Sequence, residues 1–340
     1  ATRILGHEGV AQVVAVGADI HQFAVGQYVT FVPKNPTDSN NILGDTIEGL
    51  NQQYLLIPQS ALERGMVVPL AAGIPLVCGP LIEPFATVIY GQRLVQQVGT
   101  PESMVVVGTG PIGLLNALCA RSEGCSQIFL VGTSQARLDW AVRCGIVEDS
   151  YALLNSPTLA DMLLERTGQG GVDAACLCTP RSATRAVLTQ ALQYVHEDGC
   201  IDLAAGTDSP DTIPELPGVH LNGIRQANLC GLGHETTRCI ALGGKRLWLT
   251  GQTGASEMYL REAMKFLCDD PAYYARVISH IVPYQAAPHV FQQLLAPKQQ
   301  YLAGAPYAKV IIDFTSESQE ISLFHPDQMS LPSILSTENV

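Results

Sequence analysis

The chain has 340 residues, of which 47% are hydrophobic and only 15% are charged, and its formal net charge is −12 at pH 7. This length predicts two domains, and the composition excludes a chain that is disordered throughout. The acidic balance argues against a nucleic-acid surface, because a polyanion requires a basic footprint on the protein.

No targeting signal or membrane span is predicted. The first ten residues lack a basic segment followed by an apolar one. Four prolines and one carboxylate interrupt the least charged stretch, from Gly65 to Gln92, whereas a membrane helix needs about 20 apolar residues. The ten cysteines form no C-x-x-C pair. We therefore interpret them as thiols of a reduced, cytoplasmic protein rather than as a disulfide framework.

The predicted elements change in character along the chain. Residues 8–33 are rich in valine, isoleucine and aromatic residues with glycine punctuation, which predicts short strands, and 34–50 predict a loop. From Met104 onwards, apolar strands alternate with helical patterns, which predicts a doubly wound parallel sheet. A helix after Leu260 and a strand ending at Phe314 follow, and the polar tail 315–340 is expected to be loosely ordered.

A glycine-rich motif follows the first strand of this alternating region and opens a helix. A strand before G-x-G-x-x-G and a helix after it are the context in which the motif predicts dinucleotide binding. The first glycine permits a tight turn, the second lets the backbone approach a pyrophosphate, and the third allows the helix to pack on the strand. The alternative is a glycine turn of another α/β protein. The residues of the motif are Gly108, Thr109, Gly110, Pro111, Ile112 and Gly113.

The end of the next strand favours NADP over NAD. Gly132 stands where a carboxylate would bind the ribose 2′-hydroxyl of NAD, so no negative charge would repel a 2′-phosphate. Thr133 and Ser134 can donate hydrogen bonds to a phosphate, and Arg137 can reach it. In the alternative interpretation, Thr133 and Ser134 cap the following helix and Arg137 lies on a solvated helix face.

Two residues indicate a metal. A lone histidine such as His7 is more often structural than a ligand, but Glu83 is the only charged residue between Gly65 and Gln92. A buried carboxylate is costly unless it is paired or binds a metal. One imidazole and one carboxylate suit a catalytic zinc, which usually has three protein ligands and one open position.

These motifs, taken in order, resemble those of a known family. GHEG at 6–9, EPFAT at 83–87 and GTGPIG at 108–113 resemble the medium-chain dehydrogenase/reductase family, and more narrowly its zinc-dependent branch of polyol, glucose and threonine dehydrogenases. The resemblance covers roughly residues 4–314. By this resemblance His7 and Glu83 are zinc ligands, Glu8 orients or transiently binds the metal, and Thr87 lies beside the nicotinamide.

The same resemblance implies the fold and the domain limits. A Rossmann domain at 85–252 would be flanked by a β-rich, GroES-like catalytic domain built from 1–84 and 253–314, with 315–340 as a flexible tail. By topology alone, Cys178, Thr179 and Gly206 would lie at strand ends near the cofactor, and ordinary strand-end packing is an equal alternative. The strand Lys245–Gly251 is expected at the sheet edge, where two copies would pair as a homodimer or homotetramer.

Two departures from the family pattern concern zinc. The first zinc ligand of the family is a cysteine well upstream of the GHE motif, but only six residues precede His7. We therefore expect at most two protein ligands in this chain, and one zinc per chain only where an upstream cysteine is present. The stretch Val32–Asn51 contains no cysteine, which predicts no structural zinc.

The resemblance implies hydride transfer between a nicotinamide, NADP or NAD, and a small-molecule alcohol or ketone. The substrate would be a polyol, sugar, cyclitol or amino alcohol, with zinc as a Lewis acid. The first alternative is a metal-free NADPH-dependent reductase that resembles quinone oxidoreductases, which the missing cysteine favours and His7 and Glu83 oppose. The second is a nucleotide-binding remnant without catalysis.

Overall fold

The computed structural model describes residues 3–34, 40–148, 151–168, 170–233, 235–296 and 299–329. The strands of the described residues are β1 Val10–Gln12, β2 Tyr28–Phe31, β3 Val67–Pro69, β4 Ser103–Val107, β5 Gln127–Gly132, β6 Tyr151–Leu153, β7 Val172–Leu177, β8 Val195–Asp202, β9 Arg238–Leu242, β10 Lys245–Thr250, β11 Ile278–Pro283, β12 Tyr301–Leu302, β13 Ala305–Pro306, β14 Lys309–Asp313 and β15 Ser322–Leu323.

The α-helices are α1 Gln59–Glu63, α2 Ile82–Gln96, α3 Pro111–Ser122, α4 Gln135–Arg143, α5 Leu159–Arg166, α6 Arg181–Tyr194, α7 Leu221–Ala227, α8 Glu257–Asp269, α9 Pro271–Ala275 and α10 Ala287–Leu294. Short 3-10 helices form at Leu76–Leu81, Tyr284–Ala286 and Pro326–Gln328. None of the helices in the described part of the chain has the length and apolarity that a membrane crossing requires.

The chain divides into two compact units. The first unit comprises Ala1–Ala86, Gly254–Phe291 and Val310–Val340, and the second comprises Thr87–Thr253 and Gln292–Lys309. The domain limits predicted from the sequence stay a prediction. The units nevertheless show that the chain leaves the second unit near residue 253 and contributes Gln292–Lys309 to it again.

The second unit contains a seven-stranded sheet in the order β6-β5-β4-β7-β8-β10-β9. The first six strands in this order are parallel, and β9 is antiparallel to β10. The strands are apolar runs because a parallel sheet is covered on both faces; Val105, Val107, Leu177 and Ile201 are fully buried. The doubly wound α/β fold predicted from the sequence is confirmed, with one antiparallel strand added.

The sheet corrects one prediction. Lys245–Gly251 was expected to form the edge, but β10 lies between β8 and β9, so β9 is the edge strand. Gly243 and Gly244 both have positive φ, at 57° and 88°, and such a pair makes the tight turn that joins antiparallel strands. The homodimer or homotetramer stays a prediction, and pairing at this edge would now involve β9.

The first unit is β-rich, as predicted. It contains the antiparallel sheet β1-β2-β3 and a second sheet in the order β14-β11-β15. Val29, Phe31 and Met66 are among the buried residues that form the core beside the first sheet. Strand β15 belongs to the segment that the sequence predicts as a loose tail, and it pairs with β11 through Ile281 and Ser322. The last residues of that tail, 330–340, lie outside the described residues.

Candidate active site

Backbone contacts within the first unit position His7 and Glu8. The Leu50 N–H donates to the carbonyl of Gly6 at 2.9 Å, which ties this segment to residues 49–51. Gly6 has a φ of +102°, and a Cβ there would lie 2.7 Å from Asn51 Oδ1. Glycine is therefore required immediately before the two candidate ligands, because both the backbone angle and the close approach disfavour a side chain.

Glu83 lies in the first turn of α2 and is buried, with 7% of its surface exposed. Phe85 anchors the beginning of this helix, because its ring packs 4.7 Å from the ring of Tyr274. Thr87 lies one turn after Glu83 and is half-buried. Its carbonyl accepts a hydrogen bond from Gln252 Nε2 at 3.0 Å. The predicted role of Thr87 beside a nicotinamide stays a prediction.

The three candidate ligands come together in the first unit. The ligand atoms of His7, Glu8 and Glu83 all lie within 4.8 Å of one another. The sequence motifs predict His7 and Glu83 as zinc ligands and Glu8 as the acid that orients or transiently binds the metal, and the fold places all three side chains together. Zinc accepts imidazole nitrogen and carboxylate oxygen, so the chemistry of this set fits zinc.

The approach of the Leu76–Leu81 helix to β1 also determines where Glu83 lies. A Cβ at Gly79 would lie 2.3 Å from Val10 Cγ1, so this contact requires glycine. We expect Gly79→Ala to separate the helix from β1 and to cost about 1–3 kcal/mol of folding free energy. His7 precedes β1 and Glu83 follows the Leu76–Leu81 helix, so a helix that shifts away from β1 would also move the two ligands apart. Zinc affinity should therefore fall although no ligand is changed.

Chemical denaturation and zinc titration would measure the two effects of Gly79→Ala. Gly73→Ala is not a suitable control, because Gly73 has a φ of +91° and any side chain there is strained. Gly17→Ala serves better, since the nearest atom to its Cβ would lie at an ordinary 3.6 Å. Unchanged zinc affinity in a destabilised Gly79→Ala protein would show that this contact does not set the site geometry.

The glycines of the glycine-rich loop differ in the space around them. Gly108 has a φ of +129°, and a Cβ there would lie 2.2 Å from the carbonyl oxygen of Cys178. A Cβ at Gly113 would lie 1.9 Å from the carbonyl oxygen of Gly108. By contrast, a Cβ at Gly110 would meet no atom of the described residues within 4 Å. Two glycines thus allow close packing within the protein, and Gly110 leaves open space on the backbone at the start of α3.

The residues after β5 differ in whether their side chains are available to bind a ligand. Gly132 ends the strand, and Thr133 is exposed. Ser134 is buried; its Oγ accepts a long hydrogen bond from the Arg137 N–H at 3.4 Å and donates to Gln300 Oε1 at 2.7 Å. Ser134 therefore acts as the cap of α4, which is the alternative interpretation of the sequence. Thr133 and Arg137 remain the candidates for a phosphate contact.

The three candidate residues at the ends of β7 and β8 make hydrogen bonds within the protein. The hydroxyls of Thr179 and Thr184 lie 3.3 Å apart, and Thr184 donates to the carbonyl of Gly206 at 3.0 Å. Asn116 Nδ2 donates to Cys178 Sγ at 3.4 Å. Burial raises the pKa of the Cys178 thiol far above its usual range, so this cysteine is neutral. Their predicted contacts with a cofactor stay a prediction.

One buried acid was not singled out in the sequence. Asp202 ends β8 with 1% of its surface exposed. Burial raises the pKa of its carboxyl group to about 6, although the Arg225 guanidinium acts in the opposite direction. Its Oδ1 has no hydrogen-bond partner among the described residues. The sequence feature that could have indicated the burial of Asp202 is the one that indicated Glu83, an acidic residue within an apolar run.

Curated proteins with similar sequences are named dehydrogenases. The chain is 31% identical over 149 residues to an L-galactonate-5-dehydrogenase of Escherichia coli K12, a match that covers 40% of this chain and 42% of that protein. It is 26% identical over 192 residues to an L-threonine 3-dehydrogenase of Saccharopolyspora erythraea, with 49% and 53% covered. The chain thus spans about half the length of these relatives. No family model matches it.

Solved structures share the fold over most of the chain. The alcohol dehydrogenase TADH of Thermus sp. ATN1 superposes with a TM-score of 0.65 at 20% identity, covering 92% of this chain and 86% of that one. The 2R,3R-butanediol dehydrogenase of Bacillus subtilis superposes with a TM-score of 0.64 at 20% identity, covering 91% and 80%. In its sequence matches and in its fold, the chain resembles the zinc-type medium-chain dehydrogenases, as the sequence motifs predict.

Proposed function

We propose that the chain is an oxidoreductase that transfers a hydride between a nicotinamide cofactor and a secondary alcohol or ketone, assisted by zinc. The observation that carries this proposal is the convergence of His7, Glu8 and Glu83 within 4.8 Å, in a chain that also contains a dinucleotide-type glycine loop. A polyol, sugar, cyclitol or amino alcohol is the proposed substrate class. The names of the relatives, an L-galactonate and an L-threonine dehydrogenase, support this range.

His7 and Glu83 would hold the metal, with Glu8 as the third group. When bound, zinc supplies a Lewis acid that favours the deprotonated form of an alcohol. Glu83 is buried at the beginning of α2, whereas His7 and Glu8 are exposed. The buried carboxylate therefore gives the site a fixed anchor, and the two exposed side chains leave access for a ligand from solvent.

The cofactor would lie on the glycine loop, with its pyrophosphate against the backbone of Gly110 and the first turn of α3. The N-cap of this helix is Gly110, which has no side chain that could cap it, so the N–H groups of the first turn are available to phosphate oxygens. We propose NADP rather than NAD, because Gly132 carries no charge and Arg137 supplies a cation close to the end of β5. The protein would bind the cofactor and orient it, and the nicotinamide would carry the hydride.

A turnover assay with added zinc tests the function. We expect oxidation of at least one polyol, sugar, cyclitol or amino alcohol with NADP⁺, and loss of this activity after a chelator removes the metal. The metal-free reductase predicts turnover that a chelator does not change. A non-catalytic remnant predicts NADPH binding without turnover at any zinc concentration.

The cofactor preference is tested at Gly132. We expect Gly132→Asp to weaken NADPH binding by about 10-fold or more, because a carboxylate repels the 2′-phosphate. A Cβ at this position would lie 2.6 Å from Thr109 Cγ2, so any side chain there also introduces a steric effect. Gly132→Ala is the matched control, since it adds the Cβ without the charge.

Fluorescence titration with NADPH and NADH, on the parent and on both variants, gives the comparison. The alanine variant should retain the parent preference for NADPH, and the aspartate variant should reverse it. Equal or tighter binding of NADH by the parent chain would reject NADP as the preferred cofactor.

A further inference from the structure

A hairpin from far along the chain packs against the residues that follow β5. This hairpin, β12 and β13, belongs to the same compact unit as β5 and α4. Gln300, immediately before it, accepts the hydrogen bond from Ser134 Oγ at 2.7 Å. Tyr307, immediately after it, places its ring under the guanidinium of Arg137, with Cζ 4.4 Å from the ring centroid. The two residues that flank the hairpin therefore contact the beginning of α4, at Ser134 and at Arg137.

The charge of Arg137 is held in place without being neutralised. Among the residues that the structure describes, no carboxylate forms an ion pair with it, and its buried Nε has no hydrogen-bond acceptor. Asp139, the nearest acid along the helix, accepts hydrogen bonds from Gln135 Nε2 at 2.7 Å and from the Tyr151 hydroxyl at 3.3 Å. An arginine that is stacked on an aromatic ring but lacks an acidic partner is preorganised for an oxyanion.

The orientation of Tyr307 is itself fixed. Its hydroxyl donates to the carbonyl of Gln299 at 3.2 Å, which closes the base of the hairpin. An arginine side chain that nothing holds has many rotamers, and ordering it on binding costs free energy. A ring held by its own hydrogen bond lowers that cost, because the guanidinium already lies on the ring face before an anion arrives.

We propose that Tyr307 is a positioning residue for the cofactor's 2′-phosphate, which it serves by holding Arg137 at the end of β5. Tyr307 touches Arg137 and not the phosphate, so it determines the preference for the phosphorylated cofactor indirectly. Gln300 assists by fixing Ser134 and with it the first turn of α4. This inference rests on the proposed use of NADP. It adds a residue that determines the cofactor preference from the last segment of the second unit, Gln292–Lys309.

The test uses two small probes that differ only in the phosphate, 2′,5′-ADP and 5′-AMP, measured by calorimetry on the full chain. Tyr307→Ala should lower the affinity for 2′,5′-ADP by about 10-fold, which is the effect of a partly desolvated cation–π contact. The same change should alter the affinity for 5′-AMP by less than about 2-fold. Tyr307→Phe keeps the ring and loses only the hydroxyl, so it should restore most of the affinity for 2′,5′-ADP. Arg137→Gln should reproduce the loss seen in Tyr307→Ala.

The double variant shows whether the tyrosine acts through the arginine. If it does, combining Tyr307→Ala with Arg137→Gln adds little to the loss from either single change. Additive losses, or equal weakening of both probes by Tyr307→Ala, would overturn the inference in favour of a general structural role. The affinities of the parent chain for the two probes distinguish a failure of this inference from a failure of the proposed function. A parent that binds 2′,5′-ADP no more tightly than 5′-AMP rejects NADP as the cofactor. A parent preference for 2′,5′-ADP that Tyr307→Ala leaves unchanged rejects only the role of Tyr307.

Discussion

Glu83→Gln is expected to lower zinc affinity by about 100-fold or more and to abolish zinc-dependent alcohol oxidation. The reason is that the change removes the one buried carboxylate among the three groups that converge, whereas loss of a mere outer-sphere partner typically costs 10- to 100-fold. Cofactor binding should change by less than about 2-fold, because Glu83 lies in α2 and outside the glycine loop at 108–113. Metal analysis by mass spectrometry and NADPH titration would measure both quantities.

Glu63→Gln is the matched control for this experiment. It removes the same charge from the same unit, at an exposed position in α1 where Glu63 accepts a hydrogen bond from Gln59. This variant should retain parental zinc content and activity. Full alcohol oxidation by a zinc-free Glu83→Gln protein would reject the zinc mechanism and favour the metal-free reductase.

Gly110→Ala is expected to lower the affinities for NADPH and NADH by about 10-fold or more while leaving the thermal stability of the protein unchanged. Its φ of −87° and ψ of 176° suit alanine, and the added Cβ would meet no atom within 4 Å in the part of the chain that the structure describes. The methyl group therefore costs the free protein little, but it occupies the space through which a pyrophosphate approaches the backbone. Thermal unfolding and cofactor titration separate the two effects.

Two other glycines complete this experiment. Gly99→Ala also adds a Cβ to open space, outside the loop, and should change neither stability nor cofactor affinity. Gly113→Ala places a Cβ 1.9 Å from the carbonyl oxygen of Gly108, so it should lose stability, by about 1–3 kcal/mol, together with binding. If Gly110→Ala bound both cofactors with parental affinity, the pyrophosphate could not lie on this loop.

Local patterns in the sequence were sufficient for the fold class and for the glycine loop. Alternating apolar strands and helices predict a doubly wound sheet because each segment must bury its own apolar face, a constraint that acts within a few residues. The steric requirements at Gly108 and Gly113 are likewise imposed by a tight turn and by near neighbours. The lone charge of Glu83 in an apolar run correctly indicated a buried carboxylate.

Tertiary structure decided what depends on segments far apart in the chain. The convergence of Glu83 with His7 and Glu8 depends on how α2 and its preceding helix pack beside β1, and no local pattern encodes that approach. The Gly243-Gly244 turn folds β9 back against the outer side of β10, and this pairing makes β9 the edge strand.

The contacts of Arg137 and Ser134 show the same division. The sequence determined that a cation and a hydroxyl follow β5, since their positions after the strand are a matter of spacing. Whether each is available to a ligand was decided by contacts around the distant hairpin. Gln300 accepts the hydrogen bond of the Ser134 hydroxyl, whereas Arg137 stacks on Tyr307 and has no ion pair with a carboxylate in the described part of the chain. Periodicity and turn chemistry report neighbours along the chain, whereas side-chain availability is set by packing between segments that meet only in the folded protein.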